Sequence, residues 1–314
     1  MYKFIFYLSH HLSYTCLNAF KKNQLQNLLM HANNEQYISD RVNYYFNHHK
    51  SFQTSQHALH LSDIRLKFRP MSSFNHDTKM NSSYFYDLQA IAQYFSEHLR
   101  LDYAMGDVSH CLPSFGFCKS RPIGAKNNII LKLDSIRHFI FVKDPFIFEE
   151  KKNEAVFRGA CYQQHRQLFI NNTRNVSNAN IGDTARGSTC TNKRPMTIKK
   201  QLRYKYIISL EGNDVASNLK WIMSSNSLCF APKMKYETWF MEGQLKPGVH
   251  YVEIQPDGSD LAEKIDFYNQ NPQKAKDIIK QANLWCEPFK NKKLERLIGL
   301  KLMHKYFQLT GQIA

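Results

Sequence analysis

The chain has 314 residues, 43% of them apolar, and Lys and Arg outnumber Asp and Glu by 42 to 26, a formal net charge of +16. That apolar share excludes wholesale disorder, and the length exceeds one ordinary domain and suits two. No apolar run reaches the ~18–20 residues of a membrane span, and seven scattered cysteines without a CxxC exclude a disulfide framework or a cysteine zinc site.

Such cysteine usage fits a reducing cytoplasm. The positive surplus draws polyanions: nucleic acid, anionic headgroups or phosphorylated glycolipid. Charge alone does not choose among them, and a basic solvated surface is the plainer reading.

Residues 1–80 show weak periodicity. The N-terminus reads as an aromatic strand or amphipathic helix ending in Lys21-Lys22. From Ser82 a helix is expected, because Phe85, Leu88, Ala92, Phe95 and Leu99 fall on one face. A strand running into a loop is expected at 101–108, and strands at 127–133, 138–144 and 154–160, the last followed by a helix through Arg166 and Leu168. Residues 171–195 read as a long polar loop.

Beyond it comes a clean alternation: strand KYIISLEG, a helix capped by Asp214 and running through Trp221, strand SLCFAP, a short helix YETWFMEGQ and strand VHYVEIQ. Asp260 with Glu263 forms a capping box for a helix to about Asn269. Asn271-Pro272 opens the next helix, and a basic helix over about 288–309 ends the chain, with Leu294, Leu297, Ile298, Leu302 and Phe307 on one side. Strand–helix alternation with short connections predicts an α/β fold with a parallel sheet, whose ligands lie beyond the strands' carboxyl ends.

Two polar clusters stand at such ends. Arg158-Gly159 lets backbone and guanidinium approach an anion together, and Arg166 follows in the next helix, so the pair suits a diphosphate. Glu211-Gly212-Asn213-Asp214, with Ser217, Asn218 and Lys220, offers donors around a strand-to-helix turn, although Gly212 and Asp214 also serve that turn structurally. Two carboxylates could take a proton from an attacking hydroxyl: Asp107 in MGDVSH and Asp144 in FVKDPF, the latter more plausibly shaping a turn. Glu237 could hold sugar or ribose hydroxyls, or be an exposed helix residue. No Asp-x-Asp pair occurs, so a divalent-metal clamp on a donor diphosphate has no obvious ligands.

With FRG at 157–159 followed by Arg166, KYIISLEGNDVASNLKWIMSSNSLCF at 205–230 and LKPGVHYVEIQPDGSDLAEKI at 245–265, the chain resembles glycosyltransferase family 90. PSFGFCKSRPIGAKNNIILKLDSIRHF (113–139) is similar to its bacterial lipopolysaccharide core branch. The resemblance implies a GT-B-like α/β architecture, two Rossmann-like domains facing a central cleft. Residues 1–147 would form the acceptor side and 148–290 the nucleotide-sugar domain, with 291–314 as a helix packing back on the first. It further implies UDP-glucose or UDP-galactose as donor, no metal or other cofactor, and inverting transfer onto a phosphorylated glycolipid at an anionic membrane surface. The place would be cytoplasmic, on the inner face of a bacterial inner membrane, with no nucleic-acid partner.

Carried over, Arg158 and Arg166 meet the donor diphosphate, and Gly212 to Lys220 meet the nucleotide. Where Rumi-type members carry Arg, Asn218 is a neutral amide. Glu237 aligns with the family's acidic residue only across a two-residue insertion. Asp107 is the preferred base. The alternatives are a capsule or protein O-glycosyltransferase with the same donor, and a non-catalytic polyanion-binding protein.

Overall fold

The computed structural model describes residues 35–66, 79–80, 82–187 and 193–314, together with Leu25 and Leu29. The expected N-terminal strand or helix lies outside these residues. The chain is mixed α/β and divides into two units, Met1–Arg137 with Asn291–Ala314, and His138–Lys290.

In the first unit, α1 (Glu35–Tyr45) and α2 (Ser82–Ala92) both pack on the C-terminal helix (Lys292–Leu309). The helix expected from Ser82 forms with Phe85, Leu88 and Ala92 buried, but it ends at Ala92, so Phe95 and Leu99 are buried beyond it. Gly299 permits a close approach, since a Cβ there would lie 3.0 Å from Ile91 Cδ1. Glu295 is buried and accepts from Arg41 at 3.1 Å and Lys132 at 2.9 Å, so its charge is compensated inside the unit. A small parallel sheet, β1 (Tyr103–Ala104), β2 (Gly116–Cys118) and β3 (Asn128–Ile130), runs in that order.

The expected strand at 127–133 shortens to β3. Asp134 then takes a left-handed φ of 54° and starts α3 (Ser135–His138). The expected strand at 138–144 does not form. Its polar groups are met by side-chain contacts instead: Val142 N–H donates to Ser224 Oγ at 3.0 Å, and the Asp144 carboxylate accepts from Asn226 N–H at 2.9 Å.

Asp87 on α2 is buried and accepts from the Ser135 amide and hydroxyl, both at 2.7 Å. Burial nevertheless pushes its carboxyl up to about 7. The folded chain therefore keeps a proton that the unfolded chain releases near pH 4. This group's contribution to stability is lost as pH rises from about 4 through 7, on the order of a few kcal/mol. Asp87→Asn is expected to narrow the gap between melting temperatures at pH 5 and pH 8. An unchanged gap would show that Asp87 ionises normally in the fold.

The second unit is built on a five-stranded sheet. Its elements are β4 (Lys152–Gly159), α4 (Gln164–Thr173), β5 (Ala179–Asp183), β6 (Tyr204–Ile208), α5 (Leu219–Met223), β7 (Leu228–Ala231), β8 (Tyr236–Thr238), β9 (Val252–Glu253), α6 (Leu261–Gln270) and α7 (Pro272–Lys290). The sheet order is β5-β4-β6-β7-β9, parallel throughout. In β6, Tyr206, Ile207 and Ile208 are all buried, as befits a central strand covered on both faces. Phe157, Phe169, Tyr206, Phe230, Leu261 and Ile265 belong to one apolar core, where Tyr206 stacks on Phe230 at 5.0 Å.

Several expectations are corrected here. The loop expected at 171–195 contains β5, an edge strand held by β4 in the register Gly182↔Arg158. YETWFMEGQ is not a helix. It forms β8, then Met241 at a left-handed φ of 58° and a 3₁₀ turn at Glu242–Gln244, because Glu242 accepts from the Thr238 amide at 2.6 Å and reels the chain back. VHYVEIQ forms a strand only over Val252–Glu253. Asp214 does not cap a helix, since α5 starts at Leu219. The capping box is not made, because the Asp260 carboxylate accepts from the Gln255 amide at 2.8 Å and caps no amide of α6. The last helix starts at Lys292, where Asn291 caps it through the Leu294 amide at 3.2 Å, and not at about 288.

Candidate functional site

With order 2-1-3-4-5, the chain leaves the first and third strands of this sheet in opposite directions, and a crevice opens between their carboxyl ends. Those strands are β4, ending in Phe157-Arg158-Gly159, and β6, running on into Leu210-Glu211-Gly212. The sequence-level clusters at 158–166 and 211–214 are thereby brought together.

Arg166, in the first turn of α4, spans the crevice. Nη1 donates to the Ala160 carbonyl at 2.8 Å, Nε to Glu211 at 2.8 Å and Nη2 to Leu210 at 2.7 Å. Gly212 keeps the backbone close to it, since a Cβ there would lie 3.4 Å from Arg166 Nη2. Arg158 donates through Nη1 to the carbonyls of Phe157 and Asn180, both at 2.7 Å, and through Nη2 to Asn180 Oδ1 at 2.7 Å. Its Nε is buried without a partner. Lys193 donates to the same Asn180 Oδ1 at 3.2 Å.

Desolvation lowers the proton affinity of all three cations, and Arg158 lowers that of Lys193 further. Among the described residues no carboxylate forms an ion pair with either arginine. Carbonyl dipoles compensate a guanidinium only in part, so the arrangement favours an added anion.

The remaining candidates divide. Asn213 is exposed beside the crevice and accepts from Gln163 Nε2 at 2.9 Å, and Ser217 is exposed on the same turn. Asn218 is tied to β6, accepting from Ser209 Oγ at 3.0 Å and donating to the Ile208 carbonyl at 3.1 Å. Asp214 is buried in the turn. Lys220 is wholly buried, and its ammonium meets Glu242 at 2.5 Å, so its charge is held within the fold and not offered at the crevice. Glu237 is buried in β8, which corrects its reading as an exposed helix residue.

Sequence reasoning missed the residues that surround the arginines. Asn180 lay hidden in the supposed loop. His165, whose Nε2 sits 2.8 Å from the Glu211 carbonyl, and Gln163 had only their nearness to Arg166 to mark them. Glu211 is half-buried and accepts from the Lys235 and Tyr236 amides at 3.0 and 3.1 Å. Burial, with Glu242 nearby, pushes its carboxyl up to about 7.

In the other unit, Gly106 at φ 104° turns the chain so that Asp107 stands partly exposed, its side chain 37% accessible. Asp107 Oδ1 accepts from Lys119 at 2.6 Å, and Lys119 itself is buried. The loop is pinned by the Val108 amide donating to Ser120 Oγ at 3.2 Å. Asp144, by contrast, is buried, pairs with Lys151 at 2.7 Å and accepts from the Phe146 amide at 3.1 Å, which makes it a turn-shaping residue. A proton acceptor for an incoming hydroxyl must be reachable, and of the two only Asp107 is.

Among the described residues no three His, Cys, Asp or Glu side chains cluster as a metal-ligand set, and no helix is long and apolar enough to cross a membrane.

The family model for glycosyl transferase family 90 matches residues 113–310. The O-glucosyltransferase LpsA of Dichelobacter nodosus is 45% identical over 233 residues, covering 73% of this chain and 73% of that protein. Protein O-glucosyltransferase 3 of Rattus norvegicus is 28% identical over 142 residues, 43% of this chain and 28% of that protein. Protein O-glucosyltransferase 1 of the same organism is 26% identical over 148 residues, and this chain spans 37% of its length.

Proposed function

The chain belongs to glycosyltransferase family 90, and from that premise we propose that it moves a hexose from a UDP-sugar onto the inner core of a lipooligosaccharide or lipopolysaccharide. The carrying observation is the pair of arginines at the crevice, desolvated and without an ion-pair partner among the described residues. A donor diphosphate supplies the anion they lack, and their charge stabilises UDP as it leaves. The name of the Dichelobacter relative favours glucose over galactose as the sugar moved.

The division of labour is that of a GT-B enzyme. The C-terminal unit holds the donor at Arg158, Arg166 and the 211–218 turn. The N-terminal unit supplies Asp107, which removes the acceptor hydroxyl's proton as that oxygen attacks the anomeric carbon and UDP departs, inverting the configuration. The net charge of +16 suits a phosphorylated acceptor and an anionic leaflet, and supports the reading of a peripheral protein on the cytoplasmic face of a bacterial inner membrane.

Arg158→Ala and Arg166→Ala are each expected to weaken UDP binding roughly tenfold to hundredfold by calorimetry, the worth of a charge-assisted contact. Arg166→Ala should also lower the melting temperature, because three carbonyls lose their donor. Unchanged affinity in both variants would remove the donor from this crevice. Turnover is expected to survive EDTA, because the cationic charge on the leaving diphosphate comes from side chains. A loss of turnover that added Mg²⁺ or Mn²⁺ restores would show a ligand set outside those described. The reaction as a whole is tested by mass spectrometry of lipooligosaccharide from a strain lacking the gene, where one hexose should be missing.

A further inference from the structure

The N-terminal unit carries a second basic feature that the transfer reaction does not use. Between α1 and the C-terminal helix lies an open groove of about 360 Å³, lined by Ser39 and Asn43, by Lys301 and Lys305 one turn apart, and by His49. Of its lining residues Glu35 alone is acidic, and neither lysine forms an ion pair with it or with any other described carboxylate.

Lys305 is held in place. Its ammonium donates to Asn43 Oδ1 and to the Phe46 carbonyl, both at 2.9 Å, and lies 5.4 Å from the centre of the Phe46 ring. An ammonium has three N–H donors, so one remains for a ligand. Desolvation lowers the proton affinity of Lys305, the mark of a cation partly withdrawn from water without a counter-ion. Lys301 makes no hydrogen bond or ion pair among the described residues.

We propose that this groove binds a phosphate monoester carried on a saccharide, with Lys301, Lys305 and His49 facing the phosphate and Ser39 and Asn43 available to sugar hydroxyls. A flat anionic bilayer engages protruding charge, whereas a recess of this volume, near the lower end of small-molecule pockets, suits a discrete small group. The inference rests on the proposed function only for the expectation that the acceptor is a phosphorylated glycolipid. The binding itself requires neither donor nor turnover.

The test is a ³¹P NMR titration of the full chain with glucose 6-phosphate. Saturable broadening is expected, with affinity at least tenfold better than for inorganic phosphate and unchanged by excess UDP. Lys301→Glu and His49→Ala should each weaken it tenfold or more at an unchanged melting temperature. Lys280→Glu, an exposed position in the other unit, removes the same charge and should change it less than twofold.

Displacement by UDP would place the phosphate at the arginine crevice and overturn the proposal without touching the donor assignment. Equal binding of inorganic phosphate would overturn the saccharide assignment. Equal weakening by Lys280→Glu, or binding only to vesicles containing phosphatidylglycerol, would reduce the groove to overall charge and overturn it as a site.

Discussion

Asp107→Asn is expected to lower turnover by roughly 10² to 10⁴ while UDP affinity stays within about twofold of the parent value. The split follows from where the groups stand. Asp107 belongs to one unit and the arginine crevice to the other, so the nucleotide loses nothing when the carboxylate becomes an amide. Lys119, itself buried, holds the Asp107 carboxylate at 2.6 Å and so fixes where it stands. The useful comparison is Asp144→Asn, and the two variants should fail differently. Asp144 is buried against Lys151, so its replacement should lower the melting temperature and leave turnover per folded molecule near normal. Full activity in Asp107→Asn would move the base elsewhere in the chain.

Glu242→Gln should be among the most destabilising single changes in the C-terminal unit, by about 3–5 kcal/mol. Both Glu242 and Lys220 are wholly buried, and the carboxylate also accepts from the Thr238 amide and hydroxyl. A neutral amide would leave the Lys220 ammonium among Phe139 and Phe240 without its counter-charge. At roughly 2–4 °C per kcal/mol for a protein of this size class, the melting temperature should fall by about 10 °C. Lys220→Met together with Glu242→Gln should recover part of that loss, because the stranded charge is gone. A melting temperature unchanged by Glu242→Gln would mean that the pair contributes nothing to stability.

The architecture of the C-terminal unit was legible wherever local chemistry decides conformation. β6 and β7 are short apolar runs bounded by turns, β4 centres on the buried Ala155-Val156-Phe157, and α7 opens on Asn271-Pro272 as expected. β5 was not legible. ANIGD has the composition of a loop and becomes a strand because β4 supplies its hydrogen bonds, a contact made about 24 residues away in the chain. The apolar content of YETWFMEGQ suggested a helix, and the side chain of Glu242 overrode it.

The site shows the same division. Arg158 and Arg166 could be paired from their spacing and the glycine between them. The preference for Asp107 over Asp144 could also be read from their motifs, whereas the exclusion of Lys220 depended on Glu242, 22 positions on, which short motifs do not encode.

The chain leaves the first unit after Arg137 and returns to it only at Asn291, and that route fixes an order of assembly. On the ribosome, residues 138–290 emerge as one uninterrupted stretch and can close their parallel sheet without waiting for later sequence. The first unit has no such freedom. Arg41 and Lys132 wait for Glu295, the Asp102 amide waits for Tyr306, and Ile91 waits for the gap left by Gly299. The N-terminal half is therefore made first and completed last, and any premature stop before residue 291 leaves it without its closing helix while the other unit is already whole.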